Sequence, residues 1–217
     1  MTRLNIPLSL LAVALLVAGC GSSTPATADG EGAKQADAGG GGAEAGGEAT
    51  ETIGTLTGPG GSVSLGDAPE KFEAAFPRPE GATDPQNPPV EGVAFLGWQT
   101  DAEVASAAVR GDKIVALFHA KMTSEMGWFD TARSDFGKPE HDVANDLGAF
   151  ASWKQGENEH IVMLFKGPTS MTIQATGDSV TLKALQLDSA TIASDLKTQG
   201  EAAAAGEGHS PDDGHGH

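Results

Sequence analysis

The chain is poor in cysteine, in basic residues and in long apolar segments, and each shortage excludes a class of protein. Its 217 residues include one cysteine, Cys20, so no internal disulfide can form and a folded part must be held by its core. Lys and Arg number 13 against 30 Asp and Glu, which gives a net charge of −17. A chain this acidic, without a basic stripe, is not expected to bind nucleic acid or anionic lipid head groups directly.

Sequence motifs of common active sites are also missing. The chain has no Gly-x-Ser-x-Gly elbow and no His-Glu-x-x-His sequence, and Pro139 follows Gly137-Lys138 where a phosphate-binding loop requires Ser or Thr. Carboxylates are abundant but scattered, as an acidic surface requires. We therefore predict that the protein is not an enzyme, and we keep an enzyme without a recognisable motif as an alternative.

The one long apolar stretch lies near the N-terminus, immediately before the cysteine. Arg3 supplies a basic start, residues 8–18 are apolar, and Val17-Ala18-Gly19-Cys20 has the small residues of a cleavage site. The stretch is shorter than the about 20 apolar residues of a membrane-spanning helix, and its length is typical of a signal peptide.

These residues resemble the lipobox of bacterial lipoproteins. The resemblance implies cleavage between Gly19 and Cys20 and acylation of Cys20 with chains such as palmitate, which accounts for a lone cysteine in an exported chain. The resulting multiple acyl chains would anchor the protein to a membrane more durably than one chain does. We predict an extracytoplasmic, lipid-anchored protein of the cell envelope; an ordinary signal peptide with an incidental cysteine is the alternative. Gly21 and Ser22 lack the aspartate that resembles an inner-membrane retention signal, which favours the outer membrane in a Gram-negative cell.

Two segments of low complexity flank the part of the chain that can build a core. Residues 20–61 are rich in Gly, Ala and Glu and are predicted to form a disordered tether with a reach of roughly 35 Å. Residues 200–217 are predicted to form a disordered acidic tail that contains His209, His215 and His217. Imidazole is a good ligand for Zn²⁺, Ni²⁺ and Cu²⁺, so the tail is a candidate metal site; an unstructured tail that happens to contain histidines is the alternative.

Residues 62–199 are predicted to form one α+β domain, in which an antiparallel β-sheet packs against one main α-helix, with a short C-terminal helix. Strands are predicted over residues 93–99, 103–110, 149–154, 160–166, 170–176 and 180–187. Met171, Ile173 and Ala175 alternate with polar residues, which is typical of a sheet with one face in water.

The main helix is predicted to begin at an N-cap, Asp112, and to end at Gly127. Its apolar stripe consists of residues that recur every four positions: Ile114, Phe118, Met122 and Met126. Residues 68–82 are too rich in proline for regular structure and are predicted to form an extended strap that packs Phe72 and Phe76. Residues 130–145 are predicted to form a loop or irregular strand, and residues 189–199 the short helix, with Ile192 and Leu196 directed inward.

The pattern is similar to a loose group of bacterial lipoprotein domains of unknown function. The matching residues are the entry segment Phe76-Pro77-Arg78-Pro79-Glu80-Gly81-Ala82, Phe118-His119, Gly127-Trp128 and the hairpins after Gly148. The resemblance covers about residues 72–177 and implies an α+β fold. It implies no catalytic residues, and His119 stands where the group usually has an aromatic residue.

Three histidines of the domain are candidates for chemistry. His119 is predicted to be a half-buried residue at the rim of the apolar stripe. His160 is predicted to be exposed at the start of a strand, and His141-Asp142 to lie in the polar loop.

These features together predict a non-catalytic binding module that is presented on a tether and binds an envelope protein or a wall polymer. A metal-handling lipoprotein that uses the histidine tail is the principal alternative.

The lipid anchor makes a direct prediction. Cys20→Ala should abolish incorporation of labelled palmitate and move the protein out of the membrane fraction, because no other acylation site is predicted. Labelling that persists in the variant would contradict the lipobox interpretation.

The metal alternative predicts micromolar or tighter binding of Zn²⁺, Ni²⁺ or Cu²⁺ that is lost when residues 201–217 are removed, because the imidazoles lie in that segment. Isothermal titration of the two proteins tests it. Equal affinity before and after truncation would exclude the tail as the ligand.

Overall fold

A computed structural model describes residues 52–85, 87 and 89–206. The predicted cleavage site at Gly19 and Cys20, the tether up to residue 51 and the tail residues His209, His215 and His217 lie outside the described residues. The strands within this range are β1 (Thr55–Gly58), β2 (Gly61–Ser64), β3 (Ala94–Gln99), β4 (Glu103–Arg110), β5 (Lys113–Lys121), β6 (His141–Asn145), β7 (Gly148–Gln155), β8 (Asn158–Phe165) and β9 (Met171–Asp178). The helices are α1 (Pro69–Ala75), α2 (Gly127–Phe136), α3 (Ser179–Ala184) and α4 (Ser189–Gly206).

Seven strands form one sheet, and the first two form a separate hairpin. The order in the sheet is β3-β4-β5-β9-β8-β7-β6, and all neighbouring strands are antiparallel. Two meanders, β3-β4-β5 and β6-β7-β8-β9, therefore meet where β5 pairs with β9. The predicted α+β class, an antiparallel sheet packed against helices, is confirmed.

Alternating residues of the strands divide between the two faces of the sheet. On one face, Phe150, Met163 and Ile173 pack against Leu182 of α3 and Ile192 of α4. This core covers the central strands and confirms that Ile192 is directed inward.

The opposite face carries two separate cores. In the first, Leu117 packs with Leu56 of the hairpin and Phe72 of α1. In the second, Val162 packs with Phe129 of α2. None of the helices in the described range is long and apolar enough to cross a membrane.

Strand β9 separates these two cores with polar side chains. Thr172, Gln174 and Thr176 point to this face and are buried, so the prediction that it faces water is wrong. The Thr172 hydroxyl donates to the carbonyls of Thr123 and Glu125 at 3.1 and 3.2 Å. The hydroxyl of Thr176 donates to the Glu159 carbonyl at 3.0 Å. These bonds satisfy polar groups that burial would otherwise make costly.

The predicted main helix over residues 112–127 is wrong, because most of this segment forms β5. Asp112 lies in the two-residue turn before β5, next to Gly111, whose φ is 64°. The register with β4 shifts so that Ile114 and Ala116 oppose consecutive residues, which leaves Val115 unpaired as a β-bulge. The bulge places Ile114 and Leu117 in the same core, three positions apart, as in a helix.

Helix α2 occupies a segment that was predicted to be partly loop. Gly127 begins this helix instead of ending an earlier one, and Phe129 and Ala132 bury one side of it. The chain then forms β6 (His141–Asn145), a regular strand in a segment that was predicted to be a loop or an irregular strand. Both segments are polar, so the sequence did not predict α2 and β6, which are stabilised by packing on the sheet.

Two shorter helices also replace predicted structure. The strap contains α1, because Pro69 occupies its first turn, where a missing N–H costs nothing, and Pro77 follows its end. Phe72 and Phe76 are buried, as predicted. The predicted strand over residues 180–187 contains α3, whose N-cap Asp178 accepts hydrogen bonds from the amide and the hydroxyl of Thr181.

Regular structure extends past both predicted domain boundaries. β1 begins at Thr55, and its Leu56 is buried with Val63, so residues 55–61 belong to the fold. At the other end, α4 continues to Gly206.

Helix α4 is attached to the β6–β7 turn by one amide side chain. Asn145 Nδ2 donates to the Leu196 carbonyl at 2.8 Å, and its Oδ1 accepts from the amides of Leu147 and Gly148 at 2.8 and 3.2 Å. Gly200 lies so close that a Cβ there would be 2.4 Å from Asn145 Nδ2.

Asn145→Ala is therefore expected to lower the free energy of unfolding by about 1–3 kcal/mol, because it leaves part-buried backbone groups without partners. Urea denaturation measures the change. Asp146→Ala, an exposed position in the same turn, is the matched control and should change stability by less than about 0.5 kcal/mol. Equal effects of the two substitutions would contradict this role of Asn145.

Candidate functional site

One cluster of polar and aromatic side chains surrounds His119 on β5. Its Nε2 lies 2.5 Å from Glu103 Oε1, and its Nδ1 lies 3.4 Å from Gln174 Nε2. Since a carboxylate accepts, Nε2 carries the proton in this arrangement, and Nδ1 accepts from the amide of Gln174. The ring also packs against Phe76 and Trp128, with centroid distances of 5.1 and 4.8 Å.

Opposing effects within this cluster act on the pKa of His119. Burial lowers the pKa of His119 below its usual value of 6.5, while the hydrogen bond and the charge of Glu103 act in the raising direction. Lys121 Nζ lies 3.7 Å from the same carboxylate and 5.8 Å from the centre of the Trp128 ring. Both nitrogens of His119 are engaged within the protein, so the ring holds the strands and helix α2 together. The predicted half-buried rim position is wrong, because only 3% of His119 is exposed.

The second buried histidine lies beneath the other end of α2. His160 is only 4% exposed, so the prediction that it is exposed is wrong. Its ring centre lies 5.0 Å from that of Phe136 and 6.1 Å from that of Trp153, and its Nδ1 has no hydrogen-bond partner among the residues that the structure describes. Burial lowers the pKa of His160 to about 4, so the ring is neutral at neutral pH.

A pocket opens above these aromatic rings. Its volume is about 210 Å³. The residues that line it come from β7, from the end of α2 and its connection to β6, and from the segment before β1: Ile53, Phe136, Lys138, Glu140, Trp153, Lys154 and Gln155. The pairing of β6 with β7 brings the two main segments together.

Hydrogen bonds hold the walls of this pocket in place. Trp153 Nε1 donates to the Gly137 carbonyl at 2.9 Å, and the amide of Ile53 donates to Gln155 Oε1 at 3.0 Å. The rings of Phe136 and Trp153 lie 6.2 Å apart. The walls are thus formed before any ligand arrives.

Charge distinguishes this pocket from its acidic surroundings. Lys138 and Lys154 line it, and neither makes an ion pair with another described residue. Glu140, on the same rim, makes none either. The pocket therefore has an excess of one positive charge.

The predicted site residues do not assemble into one centre. His141-Asp142 lies on β6 instead of in a loop, and Asp142 Oδ1 accepts from Arg133 Nη2 of α2 at 3.1 Å. The described part of the chain contains no group of three or more His, Cys, Asp or Glu side chains arranged to hold a metal ion.

Sequence reasoning missed the pocket. Each lysine follows an aromatic residue, in Phe136-Gly137-Lys138 and in Trp153-Lys154, but the sequence holds no sign that these segments are neighbours. Comparisons with protein-family models, curated proteins and solved structures found no match. The pocket is the candidate site on geometry alone.

The buried ring of His160 makes stability depend on pH. Its pKa is below that of an unfolded histidine, so as the pH falls from about 6.5 to about 4 the unfolded state gains a proton that the native state does not. The contribution of His160 to the free energy of unfolding is fully present above about pH 6.5. As the pH falls to about 4, the free energy of unfolding should decrease by about 3 kcal/mol.

Urea denaturation at several pH values, compared between the wild type and His160→Gln, measures this effect. The variant should lose less stability on acidification than the wild type. Identical losses would contradict the assignment of a low pKa to His160.

Proposed function

We propose that this protein is a lipid-anchored lipoprotein of the cell envelope and that its α+β domain is a non-catalytic binding module. The observation that carries the anchor is Val17-Ala18-Gly19-Cys20 at the end of a short apolar stretch. With the chain cleaved before Cys20, acyl chains on the thiol attach the domain to a membrane, and the domain acts on the extracytoplasmic side.

The binding role is supported by the state of the two buried histidines. A general base must have a free ring nitrogen within reach of a substrate. His119 has both nitrogens engaged by Glu103 and Gln174, and His160 lies behind Phe136 and Trp153. Neither ring lines the pocket. These histidines therefore serve the packing of α2 on the sheet.

The shape of the pocket supports binding of part of a larger molecule. Sites for drug-sized ligands have volumes of about 300–1,000 Å³, and this pocket has about 210 Å³. It accommodates one side chain or one terminal group of an envelope protein or a wall polymer, and the rest of that partner would contact the surface around it.

Site-specific photocrosslinking in the native host tests this role. A photoreactive residue replaces Lys154 at the pocket rim, and in a matched strain it replaces Lys113, an exposed lysine at the start of β5 outside the pocket. An antibody against the chain then recovers the crosslinked products for mass spectrometry. We expect a discrete partner from position 154 and not from position 113.

Indistinguishable products from the two positions, or no product from either, would contradict a binding module that uses this face.

A further inference from the structure

We propose that the pocket formed by Ile53, Phe136, Lys138, Trp153 and Lys154 binds a carboxylate that carries a small aliphatic side chain. The aliphatic side chain packs on the apolar residues of the pocket, and the adjacent carboxylate pairs with the two lysines. The inference rests on the proposed binding function and names its ligand class. Two kinds of ligand carry this combination of groups: a free amino acid and the carboxyl end of a peptide.

The charges at the pocket determine the sign of the charge that the ligand carries. Of the described lysines, Lys121 and Lys183 form ion pairs with carboxylates, and Lys138 and Lys154 are among those that form none. What distinguishes these two is that they line the same pocket, whose lining contains one carboxylate, that of Glu140. The net positive charge favours an anion, and a carboxylate is one that Lys pairs with readily.

The side chains at the floor of the pocket favour a ligand with an apolar part. Ile53 is 5% exposed and Trp153 is 2% exposed, so each offers the pocket a small apolar surface and keeps the rest of its side chain in the core. A sugar ring stacks on an exposed aromatic face, and Trp153 does not offer one. A branched aliphatic side chain requires only an apolar surface of this kind.

The rigidity of the walls makes the site competent without a conformational change. The bond from Trp153 Nε1 to the Gly137 carbonyl fixes the floor against the segment that carries Lys138. The bond from Ile53 to Gln155 fixes the opposite wall next to Lys154. A preformed site loses less entropy on binding, which matters for a ligand this small.

Glu140 decides between the two sources. Its carboxylate lies on the same rim and is free to pair with the ammonium group of a free amino acid. A peptide end has no ammonium group next to its carboxylate, so Glu140 would find no cation to pair with and would weaken binding by like-charge repulsion.

Titration of the full-length protein with four probes tests the inference. The probes are N-acetyl-leucine, N-acetyl-leucine amide, leucine and a tripeptide that ends in leucine. The readout is the NMR signal of the Trp153 indole N–H, assigned by comparison with Trp153→Phe. We expect N-acetyl-leucine to shift this signal and its amide, which lacks the carboxylate, to leave it unchanged.

Lys138→Gln and Lys154→Gln should each weaken N-acetyl-leucine binding on the order of tenfold, because each removes one charged partner of the carboxylate. Lys113→Gln is the matched control and should bind as the wild type does. An unchanged set of indole signals in the ligand-free variants shows that the fold is intact.

The arms of the titration have defined meanings. Tighter binding of leucine than of the tripeptide assigns the site to free amino acids, and the reverse assigns it to peptide ends. Equal shifts with the acid and the amide, or no shift with any probe, would overturn the proposal. A position-specific crosslink at residue 154 in the absence of any shift would overturn the carboxylate site while leaving the binding module in place.

Discussion

Strands β5 and β9 pair along six residues, from Ala116 opposite Gly177 to Lys121 opposite Thr172, and this ladder joins two meanders that are otherwise separate. Gly177 permits the contact at one end, since a Cβ there would lie 2.8 Å from the Cβ of Ala116. Near the middle of the ladder, the side chain of Gln174 reaches across to that of His119. This pairing sets which residues of the two meanders share a face, and it assembles the core beneath α3 and α4, which contains residues of both meanders.

The same ladder positions helix α2 and, through it, the pocket. The Thr172 hydroxyl binds the carbonyls of Thr123 and Glu125, which fixes the chain between β5 and α2. The helix then packs Trp128 against His119 and Phe136 against His160. Two buried neutral imidazoles therefore support the element whose C-terminal end forms one wall of the candidate site.

The largest error of sequence reasoning was the helix over residues 112–127. Period-four spacing of apolar residues usually indicates a helix, but β5 is buried on both faces and carries a bulge at Val115, so its apolar residues lose strict alternation. The strands β3, β4, β7, β8 and β9 were predictable, because a turn containing Gly or Pro borders each of their apolar patterns on at least one side. The burial of His160 was not, because it depends on Phe136, 24 positions earlier in the chain.

The sequence by itself determined the α+β class, most strands of the sheet, the acidic surface and the lipobox pattern around Cys20, because each depends on local composition or on residues close together in the chain. Only the tertiary structure decided where the pocket lies and which lysines line it. Lys138 and Lys154 belong to different elements and meet through the pairing of β6 with β7. No local sequence pattern encodes the proximity of these two lysines, since it arises from the free energy of burying the whole sheet against its helices.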